Sequence, residues 1–460
     1  MRSLRDTTHA LDLGLAAIRE QFDVPEHFPP EVMAAAAAAA HRQPTAHADL
    51  TSIPFVTLDP ATSTDLDQAF WIEPAGGDLL LHYAIADVAW FVDGDSPLDA
   101  EAWRRGTTIY LPDGKAGVYP PVLAEGAASL LPDGPRPAVV FHVRLDGAGA
   151  ARLDGATRAV IRSRAKLAYD TVTAADLPDG FDEFARRVVA NEDARGAPKI
   201  EPPEQQVERD DGHYRLTFRP RLASEDANAA LSLACNLAVA DAMYAAGVGL
   251  FRVMNGPDER AQKRLRHQAR ALGLTWPADV PLDQFSRHLD GTDPAAEAFL
   301  MAVHRAGGGA FYTPYRKGER PWHAAMAATY AHATAPLRRL ADRYTVMTAL
   351  AVANGNPVPD QVAAATERLP EVMDDADARA GRIERAVVDL AEAVMLEGRE
   401  GSTFMAVVVD DDDDVSRIQL CDVAVVARVK ARGVQPGDDV RVKLVEADPA
   451  KRLVRFERVA

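Results

Sequence analysis

Asp59, Asp65 and Asp67 fall within nine residues, in the stretch Thr57-Leu58-Asp59-Pro60-Ala61-Thr62-Ser63-Thr64-Asp65-Leu66-Asp67-Gln68. The flanking runs, 53–58 and 69–72, are apolar, rich in β-branched and aromatic residues, and too short for helices, so both are expected as strands. Proline cannot continue a helical hydrogen-bond ladder, and serine and threonine hydroxyls compete with it, so the segment between the strands stays an open loop. Crowding three carboxylates beside apolar strands is costly unless a cation sits among them. An all-oxygen ligand set suits a hard ion such as Mg²⁺ or Mn²⁺. An acidic surface hairpin loop accounts for this stretch equally well when it is taken alone.

The rest of the composition narrows the choice. A chain of 460 residues implies roughly two to four domains. Its 47% apolar and 26% charged content is that of a soluble globular protein. No run approaches the ~18 apolar residues of a membrane span, and the N-terminus lacks a signal-peptide core. Cys235 and Cys421 are far apart and without metal-ligand spacing, so neither a disulfide framework nor a zinc site is expected, and a reducing cytoplasm is. A formal charge of −17 argues against a nonspecific polyanion binder with a basic surface. An arginine-lined channel or a metal-neutralised acidic pocket remains compatible with it.

Along the chain, the first fifty residues are expected as helices: an apolar stripe of Leu11, Leu13, Leu15, Ala16 and Ile18, then a second helix opened by Pro29-Pro30 through the alanine run 34–40. Strands follow from residue 51. The run 79–88 is nearly continuously apolar and predicts a strand buried on both faces, with Asp87 satisfying backbone amides in the turn after it. Ser96-Pro97-Leu98-Asp99 predicts a helix start, with a stop near Gly106. Residues 107–112 are extended and end in a Pro-Asp-Gly turn. The runs 139–145 and 156–161 predict a strand pair, a long amphipathic helix begins near Glu225-Asp226, a turn and a helix occupy 325–354, and further helices run from Pro359 to about Glu397. The last sixty residues contain four or five short strands, which suits a small OB-type barrel, with the acid run 410–414 at a hairpin tip.

Three further segments bear on the acidic loop. Tyr110 lies in the extended segment and could stack on a base or serve as a core tyrosine. In Tyr330-Ala331-His332-Ala333-Thr334-Ala335-Pro336-Leu337-Arg338-Arg339, a turn delivers two arginines to a helix start, a place that favours phosphate, although arginines there are often simple surface charge. Glu384, within Arg382-Ile383-Glu384-Arg385, fits an exposed helix position.

Taken together, these blocks resemble the RNase II/RNB family of 3′→5′ exoribonucleases. The resemblance covers about residues 51–395, with a family-typical OB-type domain after it. It is carried by Asp59…Asp65-Leu66-Asp67, by His82-Tyr83-Ala84-Ile85-Ala86-Asp87-Val88, by Arg105-Gly106-Thr107-Thr108-Ile109-Tyr110-Leu111-Pro112 and by the 330–339 stretch, in the family's order. It implies that Asp59, Asp65 and Asp67 hold Mg²⁺ (or Mn²⁺) and the scissile phosphate. Tyr110 would pack against the 3′-terminal nucleotide, and Arg338, with Arg339 beside it, would hold phosphate. Glu225 and Glu384 fall near family acids that face RNA. Chemistry of this kind uses a metal-activated water and a second ion on the leaving oxygen, the two ions ~3.5–4 Å apart.

Two departures stand out. The family usually carries a fourth aspartate where this chain has Gln68, whose amide oxygen can ligate a metal without neutralising its charge. Only the short helical segment stands where cold-shock-type barrels usually precede the catalytic region. The expectation is an α+β protein in three parts: a helical segment at 1–50, an RNB-type catalytic domain of mixed sheet and helices at 51–397, and an OB-type RNA-binding barrel at 398–460. It would act as a cytoplasmic monomer, without a membrane, hydrolysing single-stranded RNA from a free 3′ end to nucleoside 5′-monophosphates. The rivals are a catalytically silent RNA-binding protein of the same fold and a metal phosphoesterase for a smaller nucleotide.

Overall fold

The computed structural model describes residues 10–197, 205–210, 213–219, 222–289, 294–412 and 415–459. Helices α1 (Ala10–Gln21) and α2 (Pro30–Ala40) precede strands β1 (Ala48–Asp49), β2 (Val56–Asp59), β3 (Gln68–Ala75) and β4 (Asp78–Ala86). Short helices α3 (Val88–Phe91) and α4 (Pro97–Arg105) lead to the hairpin β5 (Ile109–Leu111) and β6 (Gly114–Ala116), and then to β7 (Arg136–Leu145), β8 (Ala151–Ile161) and β9 (Ala165–Ala168). Seven of these strands form one sheet in the order β1-β8-β7-β4-β3-β2-β9. The outer pairs β1–β8 and β2–β9 are parallel and the rest antiparallel, so the sheet is mixed.

Alternation along β4 explains why the sheet is covered on both sides. Leu79, Leu81, Tyr83 and Ile85 face α5 (Phe181–Arg195) and α6 (Ala223–Ala246), while Ala84 and Ala86 face α2 and α4. Between α5 and α6 lies the hairpin β10 (Gln205–Asp210) and β11 (His213–Phe218). Helix α6 is long and apolar enough to cross a membrane, but 56% of that window is buried inside the protein, as befits a core helix. After it come β12 (Leu250–Val253), α7 (Glu259–Ala271), α8 (Leu282–Arg287), α9 (Pro294–Ala306), β13 (Phe311–Pro314), α10 (Leu340–Ala353) and α11 (Asp360–Leu396).

The alanine run packs closely, with Val32, Ala36 and Ala39 buried at successive turns of α2. In α1 the buried stripe is Leu11, Leu15 and Ile18, set against Ile383, Val387 and Leu390 of α11. Leu13, expected in that stripe, is 70% exposed, because two residues of helix rotate it away from Leu11. Ser96 caps α4 by accepting from the Asp99 N–H at 3.2 Å, and Gly106 ends it at φ +68°. Asp87 does not satisfy turn amides. It is buried and accepts from Arg158 Nε at 2.6 Å and faces His47 Nε2 at 3.2 Å. The several helices expected after Pro359 are one helix of 37 residues that runs through Pro370. The cost of an interior proline, about 3 kcal/mol, is offset by the burial of Leu369, Met373 and Ala376 on either side.

The C-terminal strands β14 (Thr403–Asp412), β15 (Val415–Leu420), β16 (Val426–Val429), β17 (Asp439–Asp448) and β18 (Leu453–Val459) pair in the order β16-β15-β14-β17-β18. β16 approaches β18, so the sheet nearly closes into an OB-type barrel around Phe404, Val408, Ile418, Val442 and Phe456. In the acid run 410–414, Asp413 and Asp414 lie outside the described residues. The barrel is tied to α11 through the buried Glu392, which accepts from the Val426 N–H at 2.8 Å and from Gln205 Nε2 at 2.7 Å.

Candidate active site

The acidic loop leaves the end of β2 and returns into β3, and its backbone is fastened at several points. Leu66 is fully buried, its N–H donates to Ser129 Oγ at 2.9 Å, and its carbonyl accepts from the Leu130 N–H at 3.0 Å. Ser129 Oγ donates to the Thr64 carbonyl at 2.7 Å, and Lys166 Nζ donates to the Ala61 carbonyl at 2.8 Å. Burying Leu66 turns its neighbours Asp65 and Asp67 to the other side of the chain, where Arg338 acts on both Asp67 and Asp59 and Asp65 acts on Asp59. This is how a loop without secondary structure holds carboxylates in register.

Asp67 is 5% exposed. Its Oδ1 accepts from the Leu337 N–H at 2.7 Å, and Arg338 Nε stands 3.6 Å from its Oδ2. Burial pushes its carboxyl up to about 8, against the opposing pull of Arg338 and of the Leu337 amide. Burial likewise raises Asp59 to about 7, with Arg338 and Lys166 opposing and Asp65 adding to the rise. Asp65 is engaged on both oxygens: Lys115 Nζ lies 2.8 Å from Oδ1, and the Tyr110 hydroxyl donates to Oδ2 at 3.4 Å.

Segment 330–339 reaches this loop because it is anchored from behind. Asn236 of α6 accepts from the Ala333 N–H at 2.9 Å, and Asp342 accepts from the Ala335 N–H at 2.7 Å. The Arg338 carbonyl accepts from the Thr108 N–H at 2.9 Å and the Leu340 N–H donates to the Gly106 carbonyl at 2.9 Å, which ties the segment to the strand bearing Tyr110. Arg338 leaves 44% of its side chain exposed, and Tyr110 is 55% exposed with its hydroxyl toward Asp65. Asp59, Asp65, Asp67, Tyr110 and Arg338 thus converge from three distant parts of the chain.

The remaining expected residues sit differently. Both nitrogens of the Arg339 fork donate to the buried Asp342, Nε and Nη2 each at 2.8 Å, so its charge is used within the fold. Gln68 turns its Oε1 to the Tyr83 hydroxyl, which donates to it. Glu225 accepts from the Leu222 N–H at 3.2 Å at the start of α6 and pairs with Arg219. Glu384 is exposed on α11. Several participants escaped sequence reasoning: Lys115, Lys166, Glu125, and Asn228, which donates to the Leu58 carbonyl at 3.2 Å and the Tyr169 hydroxyl at 3.0 Å. Lys115 carried a usable signal, because a tight Pro-Asp-Gly turn sets it directly across the hairpin from Tyr110.

The donor set suits a hard divalent cation. Asp67 is buried and Asp59 half-buried, no fork-like guanidinium neutralises either, and both resist ionising until a positive charge arrives. Among the described residues no three carboxylate, imidazole or thiolate side chains converge tightly enough to hold an ion alone, so water and phosphate oxygens would complete its shell.

A mixed sheet bearing the acidic loop is followed by a nearly closed OB-type barrel. The chain belongs to the RNB domain family, which its residues 47–352 match, and residues 402–459 match the RNase II-type exonuclease C-terminal S1 domain. It is 26% identical over 387 residues to Ribonuclease R of Mycoplasma genitalium, over 77% of this chain and 53% of that protein. The chain spans about half the length of the curated relatives it matches. The fold superposes on Mycoplasma genitalium RNase R in complex with ribose methylated single-stranded RNA with a TM-score of 0.86 at 20% identity, covering 100% of this chain and 79% of that one. Yeast Ssd1, a pseudonuclease, superposes with a TM-score of 0.69 at 14% identity, over 97% of this chain and 58% of that one.

Proposed function

We propose that this chain is a Mg²⁺-dependent 3′→5′ exoribonuclease that hydrolyses single-stranded RNA to nucleoside 5′-monophosphates. The observation that carries the reading is the clamp on Asp67: a buried carboxylate fixed by the Leu337 amide at 2.7 Å, with the exposed Arg338 guanidinium 3.6 Å away on its other oxygen. Asp59 and Asp67, with Asp65 beside them, would hold the ion, which supplies Lewis-acid polarisation of the phosphate and an activated water. Arg338 meets the charge that develops on the non-bridging oxygens. Its main chain is anchored, the Arg338 carbonyl accepting from the Thr108 N–H, which fixes the point from which the side chain reaches toward Asp67. Tyr110 offers an exposed ring for the terminal base, and its hydroxyl contact with Asp65 fixes the distance between that base and the carboxylates. The relatives named Ribonuclease R support RNA as the substrate class.

The deciding assay incubates 5′-labelled RNA bearing a single-stranded 3′ tail with the protein, with and without Mg²⁺, beside Asp67→Asn. Stepwise shortening from the 3′ end that releases 5′-monophosphates, needs Mg²⁺ and falls at least a hundredfold in the variant is expected. Internal cleavage, or equal activity in EDTA, would sink the reading. A second reading, a silent RNA-binding protein, is favoured by Gln68, whose amide oxygen is held by Tyr83, and by the likeness in fold to a pseudonuclease. RNA retained in a gel shift without any shortening would select it.

A further inference from the structure

Asp65 differs from Asp67 in the closeness of its cation: a lysine ammonium stands 2.8 Å from it, against 3.6 Å between Arg338 and Asp67. Lys115 Nζ lies 2.8 Å from its Oδ1 and 3.2 Å from Glu125 Oε1, and Glu125 Oε2 in turn accepts from Thr64 Oγ1 at 2.9 Å in the acidic loop itself. The ammonium is therefore fixed between two acids. The hairpin that delivers it is rigid, with Ile109, Leu111 and Ala116 buried and Asp113 of its turn paired to Arg19 of α1 at 2.8 Å. Lys115 and Tyr110 are cross-strand partners in that hairpin, so one short element caps both oxygens of Asp65. Lys115 also borders a cavity of about 380 Å³ between this hairpin, residues 25–28 and Leu337, which gives the side chain room without offering it another anion beyond Asp65, Glu125 and Glu26.

The other side of the pocket is short of ligands. Gln68 carries no charge and directs its oxygen to Tyr83, and no three ligating side chains cluster among the described residues. Two divalent ions placed side by side need a shared carboxylate and enough anionic charge to suppress their mutual repulsion. Here the carboxylate at one end, Asp65, is already neutralised by a protein ammonium.

We infer that Lys115 is a built-in counter-ion beside Asp65 that takes the place of a second divalent cation, so that the site holds one metal ion. The inference rests on the Mg²⁺-dependent reading given above. Lys115 is on this view a positioning residue: it fixes Asp65, and through Glu125 and Thr64 the loop, without touching the reacting phosphate.

The test counts ions at equilibrium and needs no turnover. Mn²⁺ is titrated into the metal-free full-length protein while free ion is followed by electron paramagnetic resonance, and the same is done for Lys115→Met, Lys115→Gln and Lys115→Arg. One site is expected in the natural protein and in Lys115→Arg. Either neutral variant should show a second site, or tighten the first at least tenfold, and the two variants guard against one failing to fold. Two sites in the natural protein, or neutral variants that bind as it does, would overturn the inference while leaving Mg²⁺-dependent RNA cleavage intact. No Mn²⁺ binding by any form, together with RNA shortening in EDTA, would instead remove the metal reading, and the inference with it.

Discussion

Asp67 and Asp342 are buried carboxylates at opposite ends of the same short segment, and each accepts an amide N–H from it, at Leu337 and Ala335 respectively. Their surroundings drive them in opposite directions. Burial would raise Asp342, but the two-pronged bond from Arg339 holds its carboxyl below the usual range. Burial does raise Asp67, to about 8, because its arginine, Arg338, stands 3.6 Å away with nearly half its side chain exposed. Two arginines adjacent in sequence thus do unlike work. Arg339 faces inward where α10 begins and completes an internal ion pair, whereas Arg338 faces the pocket and leaves its carboxylate only partly compensated. A charge neutralised inside the fold is architecture, and one left short of a partner marks where a cation or an anionic substrate is received.

The comparison breaks first if the two arginines prove alike. Arg339→Ala strands a buried carboxylate and should cost about 3–5 kcal/mol of stability, read from denaturant unfolding. Arg338→Ala removes a half-exposed group and should change stability by less than about 0.5 kcal/mol, while lowering kcat/KM on RNA by roughly a hundredfold through lost charge stabilisation. Equal destabilisation by the two substitutions would contradict the division of labour.

A smaller effect sharpens the same contrast through pH. Asp59 and Asp67 have folded-state values near 7 and 8, above the ~3.9 of an unfolded aspartate. Between those limits the folded protein binds more protons than the unfolded chain, so stability falls as pH rises. The metal-free protein should therefore lose stability from about pH 4 to pH 8 in part through these two groups. Asp67→Asn should flatten the slope, and added Mg²⁺ should restore most of the loss at pH 8. Melting profiles at several pH values, with and without Mg²⁺, check it. A slope unchanged in Asp67→Asn would show that this carboxyl ionises as an ordinary surface aspartate.

Much of the architecture was legible from local pattern. The continuous apolar run of β4, the serine cap of α4 and the glycine that ends it each follow from residues a few positions apart. The continuous α11 was not legible, because Pro370 is a local helix breaker and only the packing of Leu369 and Met373 overrides it. At the site, residue types at motif spacing pointed to Asp59, Asp65, Asp67, Tyr110 and Arg338. Which way a side chain turns was hidden: the inward pairing of Arg339 with Asp342 could not be foreseen, nor could the Tyr83 bond of Gln68. Lys166 and Asn228 reach the acidic loop from β9 and α6 through contacts that only the tertiary fold creates.

The finest test of partial compensation is Gln68, where the sequence resemblance leads one to expect an acid. Exchange to aspartate would confound two changes, since the shorter side chain could no longer reach the Tyr83 hydroxyl that now donates to Gln68 Oε1. Gln68→Glu keeps the length and leaves one oxygen to accept from Tyr83, so it adds a charge and removes the amide donor without breaking that bond. Tyr83 itself senses the Asp59 charge, which puts the added carboxylate within electrostatic range of the pocket. A single unit of pKa-scale interaction corresponds to about tenfold in binding, and screening across the tyrosine should leave less, so the Mg²⁺ midpoint for RNA cleavage is expected to fall about two- to fivefold. Stability should drop slightly in the metal-free protein, because another negative charge joins an already under-compensated group, and should recover with Mg²⁺. A higher midpoint would mean that the amide NH₂ of Gln68 donates to a pocket carboxylate and that its loss outweighs the charge gained. An unchanged midpoint would place Gln68 with Arg339, as a polar residue whose partners all lie within the fold.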